Sequence, residues 1–96
     1  MQKYEAMVVI STKQEEETVK GLVERFKGLI EENGTLVSVE EWGKKRLAYM
    51  INKETEGYYV LYTFESNAAF PAELSRRLRI TEGLLRSMII ALYLGG

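Results

Sequence analysis

Near the start of the chain, apolar residues first recur at every second position and then recur at intervals of three and four residues. Every second side chain from residue 4 to 10 is apolar, which predicts a strand with one buried face. The following apolar positions recur on one helical face and predict a helix with a single buried stripe. That stripe consists of Val19, Leu22, Val23, Phe26, Leu29 and Ile30. Ser11 or Thr12 is predicted to cap this helix, and Asn33-Gly34 to end it with the glycine left-handed.

The middle of the chain is typical of β-structure. Residues 36–41 and 47–52 predict one long strand that is interrupted at Trp42-Gly43, where the glycine allows a bulge or a bend. A turn over residues 53–57 connects this strand to a second one over residues 58–64, which is rich in β-forming aromatics. The two strands therefore predict a hairpin with a loop of about five residues.

A second helix and a last strand complete the pattern. The helix is predicted to begin at Ser66 or Asn67, with Pro71 early in it. Its buried side chains are Phe70, Leu74 and Leu78. The last strand is predicted over residues 86–94, centred on residues 87–93. The order strand, helix, strand, strand, helix, strand with right-handed crossovers predicts an α+β fold, the ferredoxin-like split βαβ sandwich. We expect one domain over residues 1–96, with strands one and three central, two helices on one sheet face and the other face open.

The acidic and nucleophilic composition excludes several kinds of chemistry. All 14 acids are glutamate, and the chain has no histidine, cysteine or aspartate. Triad-type nucleophiles, disulfides and zinc sites with cysteine or histidine ligands are therefore impossible within the chain. We predict no catalytic residues, no metal, no cofactor and no small-molecule substrate. No apolar run approaches the ~18 residues that cross a bilayer, and residues 1–10 do not form a signal peptide. We expect a cytoplasmic protein without a membrane partner.

Charge is unevenly distributed along a nearly neutral chain. The formal net charge is −1, from 13 cations and 14 acids. Residues 1–41 hold five cations and nine acids, for −4, whereas residues 42–96 hold eight cations and five acids, for +3. A stand-alone nucleic-acid binder is usually clearly basic. If RNA is a partner, we expect a local cationic patch and help from a second protein.

Three adjacent cations, Lys44, Lys45 and Arg46, interrupt the long strand directly after its glycine; we call them the basic ridge. Because side chains alternate along a strand, at least one of the three points to each face. The ridge therefore predicts an edge strand. Its charges suit contacts with phosphates, and they equally suit protection of the edge from aggregation. Lys3, Arg79 and Arg86 are candidates to extend an RNA-binding patch.

The open sheet face is predicted to be partly apolar, which favours a protein partner. The candidate partner-binding residues are Met7, Val9, Trp42, Tyr59 and Leu61. RNA recognition motifs share this fold and stack bases on aromatics of strands one and three. The run from Gly57 to Tyr62 follows that pattern only loosely, so packing of its tyrosines within the sheet is the favoured interpretation. Trp42 either packs over the bulge or anchors a partner.

The stretch Gly43–Asn52 resembles the signature of one family, the sixth protein of the bacterial small ribosomal subunit. The first four positions of that signature are Gly, then any residue, then a basic residue, then a polar or charged residue. The last six are Leu, then Ala or Ser, then Tyr, then any residue, then Ile, and finally a small or basic residue. All ten positions fit, although Met50 stands where many members have proline. The resemblance covers essentially the whole chain. Its other matching positions are Tyr4-Glu5, Glu40-Glu41, Lys53, Gly57-Tyr58-Tyr59, Leu78-Arg79-Ile80 and Arg86.

The resemblance implies a structural role in the cytoplasmic ribosome. It implies binding to the central domain of 16S ribosomal RNA as a heterodimer with the eighteenth small-subunit protein. Phosphate contacts are expected rather than base readout, because no array of Asn, Gln or Arg is arranged for base edges. Many relatives continue into a polar tail that contacts this partner. For this chain, which ends at Leu94-Gly95-Gly96, we expect either that this part of the partner interface is missing or that the sheet face provides more of it.

Three alternatives share the predicted fold. One is the RNA-recognition-motif-like binder described above, and another is an effector-binding regulatory module. Such a module usually dimerises around a polar pocket, and the sequence does not indicate one. An acylphosphatase-like hydrolase would need an anion-binding loop with an arginine after the first strand, yet Ser11-Thr12-Lys13-Gln14 contains neither glycine nor arginine.

Overall fold

The computed structural model describes residues 1–92 and has the predicted order of elements. They are β1 (Gln2–Ser11), α1 (Glu16–Asn33), β2 (Gly34–Ile51), β3 (Glu54–Ser66), α2 (Phe70–Arg79) and β4 (Leu84–Leu92). The strands form one antiparallel sheet in the order β2-β3-β1-β4. The ferredoxin-like α+β sandwich is thereby confirmed, with β1 and β3 central and with β2 and β4 at the edges.

The hydrophobic core lies between one sheet face and both helices. It combines alternate residues of β1 and β3 with one stripe from each helix. The core residues are Tyr4, Ala6, Val8, Ile10, Val23, Phe26, Ile30, Val60, Tyr62, Phe64, Phe70, Leu74 and Leu78. The Tyr62 hydroxyl donates to the carbonyl oxygen of Val23 at 2.9 Å and ties α1 to the sheet. Burial raises the pKa of Tyr62, so the hydroxyl keeps this proton. Both predicted helix stripes are confirmed.

The interruption predicted at Trp42-Gly43 is a bulge within a continuous β2. Glu41 pairs with Val60 and Gly43 pairs with Tyr59, so Trp42 is the extra residue between two successive pairs. Gly43 has a φ of +79°, which glycine adopts without steric cost. The bulge therefore depends on this glycine.

The connection from β2 to β3 is shorter than predicted. Ile51 pairs with Glu54, which leaves Asn52 and Lys53 as a two-residue turn. Both have positive φ, 49° and 65°, as the tight hairpin turns that match strand twist require. The predicted five-residue loop is wrong because β3 extends back to Glu54.

The predicted start of α1 is wrong, whereas its predicted end at Asn33-Gly34 is correct in position but not in the conformation of the glycine. Ser11 belongs to β1, and its hydroxyl donates to Oε1 of Glu54 at 2.6 Å instead of capping the helix, which begins at Glu16. Gly34 is extended, with a φ of −173°, and opens β2. A Cβ at Gly34 would overlap the carbonyl oxygen of Glu65. The glycine is required by the close approach of β2 to β3 and not by a left-handed cap.

The start of α2 is determined by Asn67, as predicted, although the helix itself begins three residues later. The Asn67 side-chain oxygen accepts a hydrogen bond from the backbone N–H of Phe70 at 3.0 Å. The last strand begins at Leu84, two residues before its predicted start, and the predicted strand residues 93 and 94 lie outside the described part of the chain. No helix within residues 1–92 is both long enough and apolar enough to cross a membrane.

Candidate nucleic-acid and partner interface

The basic ridge lies on the exposed edge strand β2, directly after the Gly43 bulge. Its three side chains are all exposed. The ion pairs found within residues 1–92 join Glu73 to Arg76 and Arg77, and Glu16 to Lys20, so none involves the ridge. The ridge charges are therefore available for an external anion.

The ridge straddles the sheet edge instead of forming one flat surface. Lys44 lines a cleft of about 290 Å³ on the helix side, together with Tyr58 and Val19. Lys45 points to the open face, where its Nζ lies 4.7 Å from the centroid of the Trp42 ring. This geometry is a cation–π contact, which holds the ammonium over the bulge without neutralising it.

Arg79 and Arg86 form a second cationic site beside the other edge of the sheet. Both line a depression next to β4, with Arg79 in the last turn of α2. Nη1 of Arg86 donates to the hydroxyl of Tyr49 at 2.8 Å. Because Tyr49 belongs to the far end of β2, this hydrogen bond ties the hairpin tip to β4. The bond connects the two edges at the ridge end of the sheet.

Lys3 lies at the opposite end of the sheet from the basic ridge. It pairs with Glu65, which in turn pairs with Thr35, nine residues along β2 from Lys44. Two of these nine residues are extra residues at register shifts, and β3 covers the same stretch with the seven residues from Glu65 to Tyr58. At about 3.3 Å per residue, the separation along the sheet is roughly 23 Å. The prediction that Lys3 extends the ridge is wrong, because strand register places it elsewhere.

An apolar groove of about 180 Å³ crosses the open sheet face. Its lining comes from all four strands and consists of Glu5, Met7, Trp42, Leu61, Met88 and Ile90. Three of the predicted partner-binding residues, Met7, Trp42 and Leu61, are thus brought together, and Trp42 is 43% exposed. Whether they contact a partner stays a prediction.

Val9 does not offer the exposed surface that was predicted for it. It is only 4% exposed, and its Cγ1 lies directly against the backbone of Gly57. Leu47 and Leu85 also approach Gly57, so the end of the open face near the hairpin is covered. Tyr59, which pairs with Val9, is half-buried.

The two adjacent tyrosines do not form a base-stacking platform. Tyr58 packs on the helix side against the core, and Tyr59 lies on the open face. Opposite Tyr59 stands Val9, so the central strand β1 supplies no aromatic ring there. The arrangement that RNA recognition motifs use is therefore not assembled.

Tyr58 has a structural role beside the ridge. Its hydroxyl donates to Oε1 of Glu41 at 2.9 Å. Burial and this hydrogen bond raise the pKa of Tyr58, so the hydroxyl remains a donor at neutral pH. No group of three or more acidic side chains suited to a metal ion occurs within residues 1–92.

Sequence reasoning missed Glu5, Tyr49, Met88 and Ile90 as parts of these surfaces. The signal for Met88 and Ile90 is the run from Met88 to Leu92, in which every residue is apolar. A strand that is apolar on both faces needs cover on both. The contact between Tyr49 and Arg86 has no signal in the sequence, because 37 residues separate the two side chains.

The fold and these surfaces define a class, a small ferredoxin-like α+β domain suited to binding other macromolecules. A family model described as ribosomal protein S6 matches residues 3–91. The chain is 52% identical over 91 residues to the small ribosomal subunit protein bS6 of Caldanaerobacter subterraneus, covering 94% of this chain and 96% of the relative. It is 45% identical to the bS6 protein of Clostridium novyi, with the same coverage. The chain therefore belongs to the ribosomal protein S6 family, and the resemblance of its Gly43–Asn52 stretch is confirmed.

A solved structure of a ribosomal protein S6 agrees with this assignment. The crystal structure of 30S ribosomal protein S6 from Thermotoga maritima matches with a TM-score of 0.90 at 33% identity, covering 95% of this chain and 87% of that one. The C-terminal domain of the MgtC protein from Mycobacterium tuberculosis matches with a TM-score of 0.60 at 13% identity and the same coverage. The second likeness is one of fold alone.

Proposed function

We propose that this chain is a non-catalytic structural constituent of the small ribosomal subunit. It binds the central domain of 16S ribosomal RNA as a heterodimer with the eighteenth small-subunit protein. The basic ridge contacts phosphates, Arg79 and Arg86 add contacts from the other edge, and the apolar groove receives the partner protein.

The single observation that supports this proposal best is the exposed and unpaired state of the ridge within the described residues. Phosphate contacts release counterions and provide affinity without reading sequence. Three such contacts are too few for tight binding by a chain with a net charge of −1. A basic partner therefore supplies the remaining attraction.

The test is a salt-titrated RNA-binding measurement on the heterodimer, with a fragment of the central domain of 16S ribosomal RNA. In the variant, Lys44, Lys45 and Arg46 are each replaced by Gln. Each lost contact with duplex phosphate reduces the slope of log affinity against log salt by about 0.9. We therefore expect the slope to become shallower by about 2–3 and binding to weaken for all sequences alike.

A matched control replaces Lys13, Lys20 and Lys27 by Gln, which removes the same charge from the region of α1. We expect this control to change the slope by less than one. Equal effects of the two triple variants would show that only net charge matters and would contradict the ridge. Tight, sequence-specific binding by the chain alone would contradict the need for a partner.

A further inference from the structure

The two edges of the sheet differ in how they are protected from pairing with another strand. The edge strand β2 has five charged residues and three register shifts along its length. The edge strand β4 has a single charged residue, Arg86, and pairs without a register shift from there to Leu92. Charges and bulges are the usual means by which an edge avoids strand addition. Within residues 1–92, β4 lacks both over its regular part, and no strand pairs with its outer side.

The exposed apolar residues of β4 all face the open side of the sheet. Met88 is 52% exposed and Ile90 is 46% exposed, whereas Ile89 and Ala91 pack against the core. Both exposed side chains line the apolar groove. A strand added outside β4 would therefore bury apolar side chains on this face while its backbone pairs with the free edge.

We propose that the outer edge of β4 accepts an extended segment of a basic protein partner by strand addition. The segment has apolar side chains at alternate positions and at least one cation. This inference rests on the proposed function, since the partner it describes is the one that joins the chain on ribosomal RNA.

Glu5 determines the charge of the occupant. It is the one acidic residue that lines the groove, and it pairs in register with Ile90 of β4. An added strand would lie two strand spacings from β1, roughly 10 Å, which a Lys or Arg side chain and the Glu5 side chain span together. A second copy of this chain would add another net charge of −1 and no attraction for RNA. A basic partner neutralises Glu5 and adds phosphate contacts, so it is the occupant we infer.

Calorimetric titration with the purified eighteenth small-subunit protein measures the effect of the β4 edge. In a double variant, Met88→Gln and Ile90→Gln remove two apolar contacts without changing the charge. We expect the affinity of this variant for the partner to be about tenfold lower or weaker still. The matched control is Val37→Gln on β2, which is 47% exposed and should leave the affinity unchanged. Glu5→Gln should weaken binding and reduce its salt dependence. Thermal unfolding of each variant checks that the exposed substitutions leave the fold intact.

Hydrogen exchange distinguishes strand addition from other modes of docking. Strand addition slows exchange of β4 amides in the complex, whereas a helix lying on the open face would leave them unchanged. Protection confined to β2, or loss of affinity in Val37→Gln alone, overturns the inference while the heterodimer itself stands. A lone chain that dimerises through Met88 and Ile90 in sedimentation experiments would make a second copy the occupant and overturn it as well. Failure of the wild-type chain to bind this protein at all refutes the proposed heterodimer, and the inference falls with it.

Discussion

Substitution of Gly57 by Ala tests how the hairpin end of the sheet is packed. Gly57 is buried in β3. A Cβ added there would overlap Cγ1 of Val9, and it would lie 3.3 Å from Cδ2 of Leu47 and 3.7 Å from Cδ1 of Leu85. These side chains come from the three other strands. A methyl group at this position therefore requires side chains of the three neighbouring strands to move apart.

The magnitude follows from two opposing effects. An extra methyl group in a well-packed site typically costs about 1–3 kcal/mol, and the β-branched Val9 has few alternative rotamers. Alanine also restricts the unfolded chain, which offsets about 0.4–1 kcal/mol. We expect Gly57→Ala to lower the free energy of unfolding by about 1–2 kcal/mol. For a domain of this size, the Tm should fall by roughly 4–16 °C.

Urea unfolding followed by circular dichroism measures this change. Gly21→Ala is the matched control, since Gly21 lies on the exposed side of α1 with nothing within 4 Å of an added Cβ. The control should gain about 0.5–1 kcal/mol. Val9→Ala removes the overlap. The double variant Val9→Ala with Gly57→Ala should therefore be about 1 kcal/mol more stable than the sum of the two single-variant changes in unfolding free energy predicts. A Gly57→Ala protein as stable as wild type, together with an additive double variant, would refute the packing argument.

Two further predictions concern the hairpin turn and α2. Lys53→Gly should stabilise the fold by about 0.5–1 kcal/mol in urea unfolding, because Lys53 has a φ of 65° that favours glycine; a loss of stability would contradict this. Hydrogen bonds from Arg76 and then Arg77 lower the pKa of Glu73 from 4.5 to about 2, so its contribution to stability is present above pH 4.5 and is lost as the pH falls towards 2. Since Glu73 is exposed, its contribution to stability is small. Glu73→Gln should make the Tm depend less on pH between about 2 and 4.5. If the Tm of the variant varied with pH as in the wild type, the ion pairs of Glu73 would be excluded as the cause of that dependence.

The sequence predicted those features that depend on local spacing. The stripe that includes Val23 and Phe26 follows helical periodicity wherever the helix packs, so its burial could be predicted. The bulge after Trp42 could be predicted because Gly43 permits a positive φ within the strand. The family signature lies in the same segment, so the likeness and the local structure were found together.

Features that depend on the approach of distant segments were not predicted. Gly34 follows a helix, as a capping glycine would. A glycine is needed there, however, because the backbone of Glu65, 31 residues away in sequence, leaves no room for a Cβ. Ser11 resembles a helix cap because its partner Glu54 is brought to it only by the completed sheet. In the sequence, Lys3 is a candidate to extend the basic ridge. Only the register of β1 with β3 shows that it lies far from the ridge. Each error has the same cause, since local pattern contains no information on register.

The two interpretations of the basic ridge are physically compatible. Charges that discourage strand addition at β2 also keep that edge in water, which is the condition for contact with RNA phosphates. The opposite edge, β4, has only Arg86, and the hydroxyl of Tyr49 holds that side chain. From Ser87 to Leu92, β4 has no charged residue, so the end of the sheet near the basic ridge and Arg86 suits nucleic acid and the rest of β4 suits a protein strand.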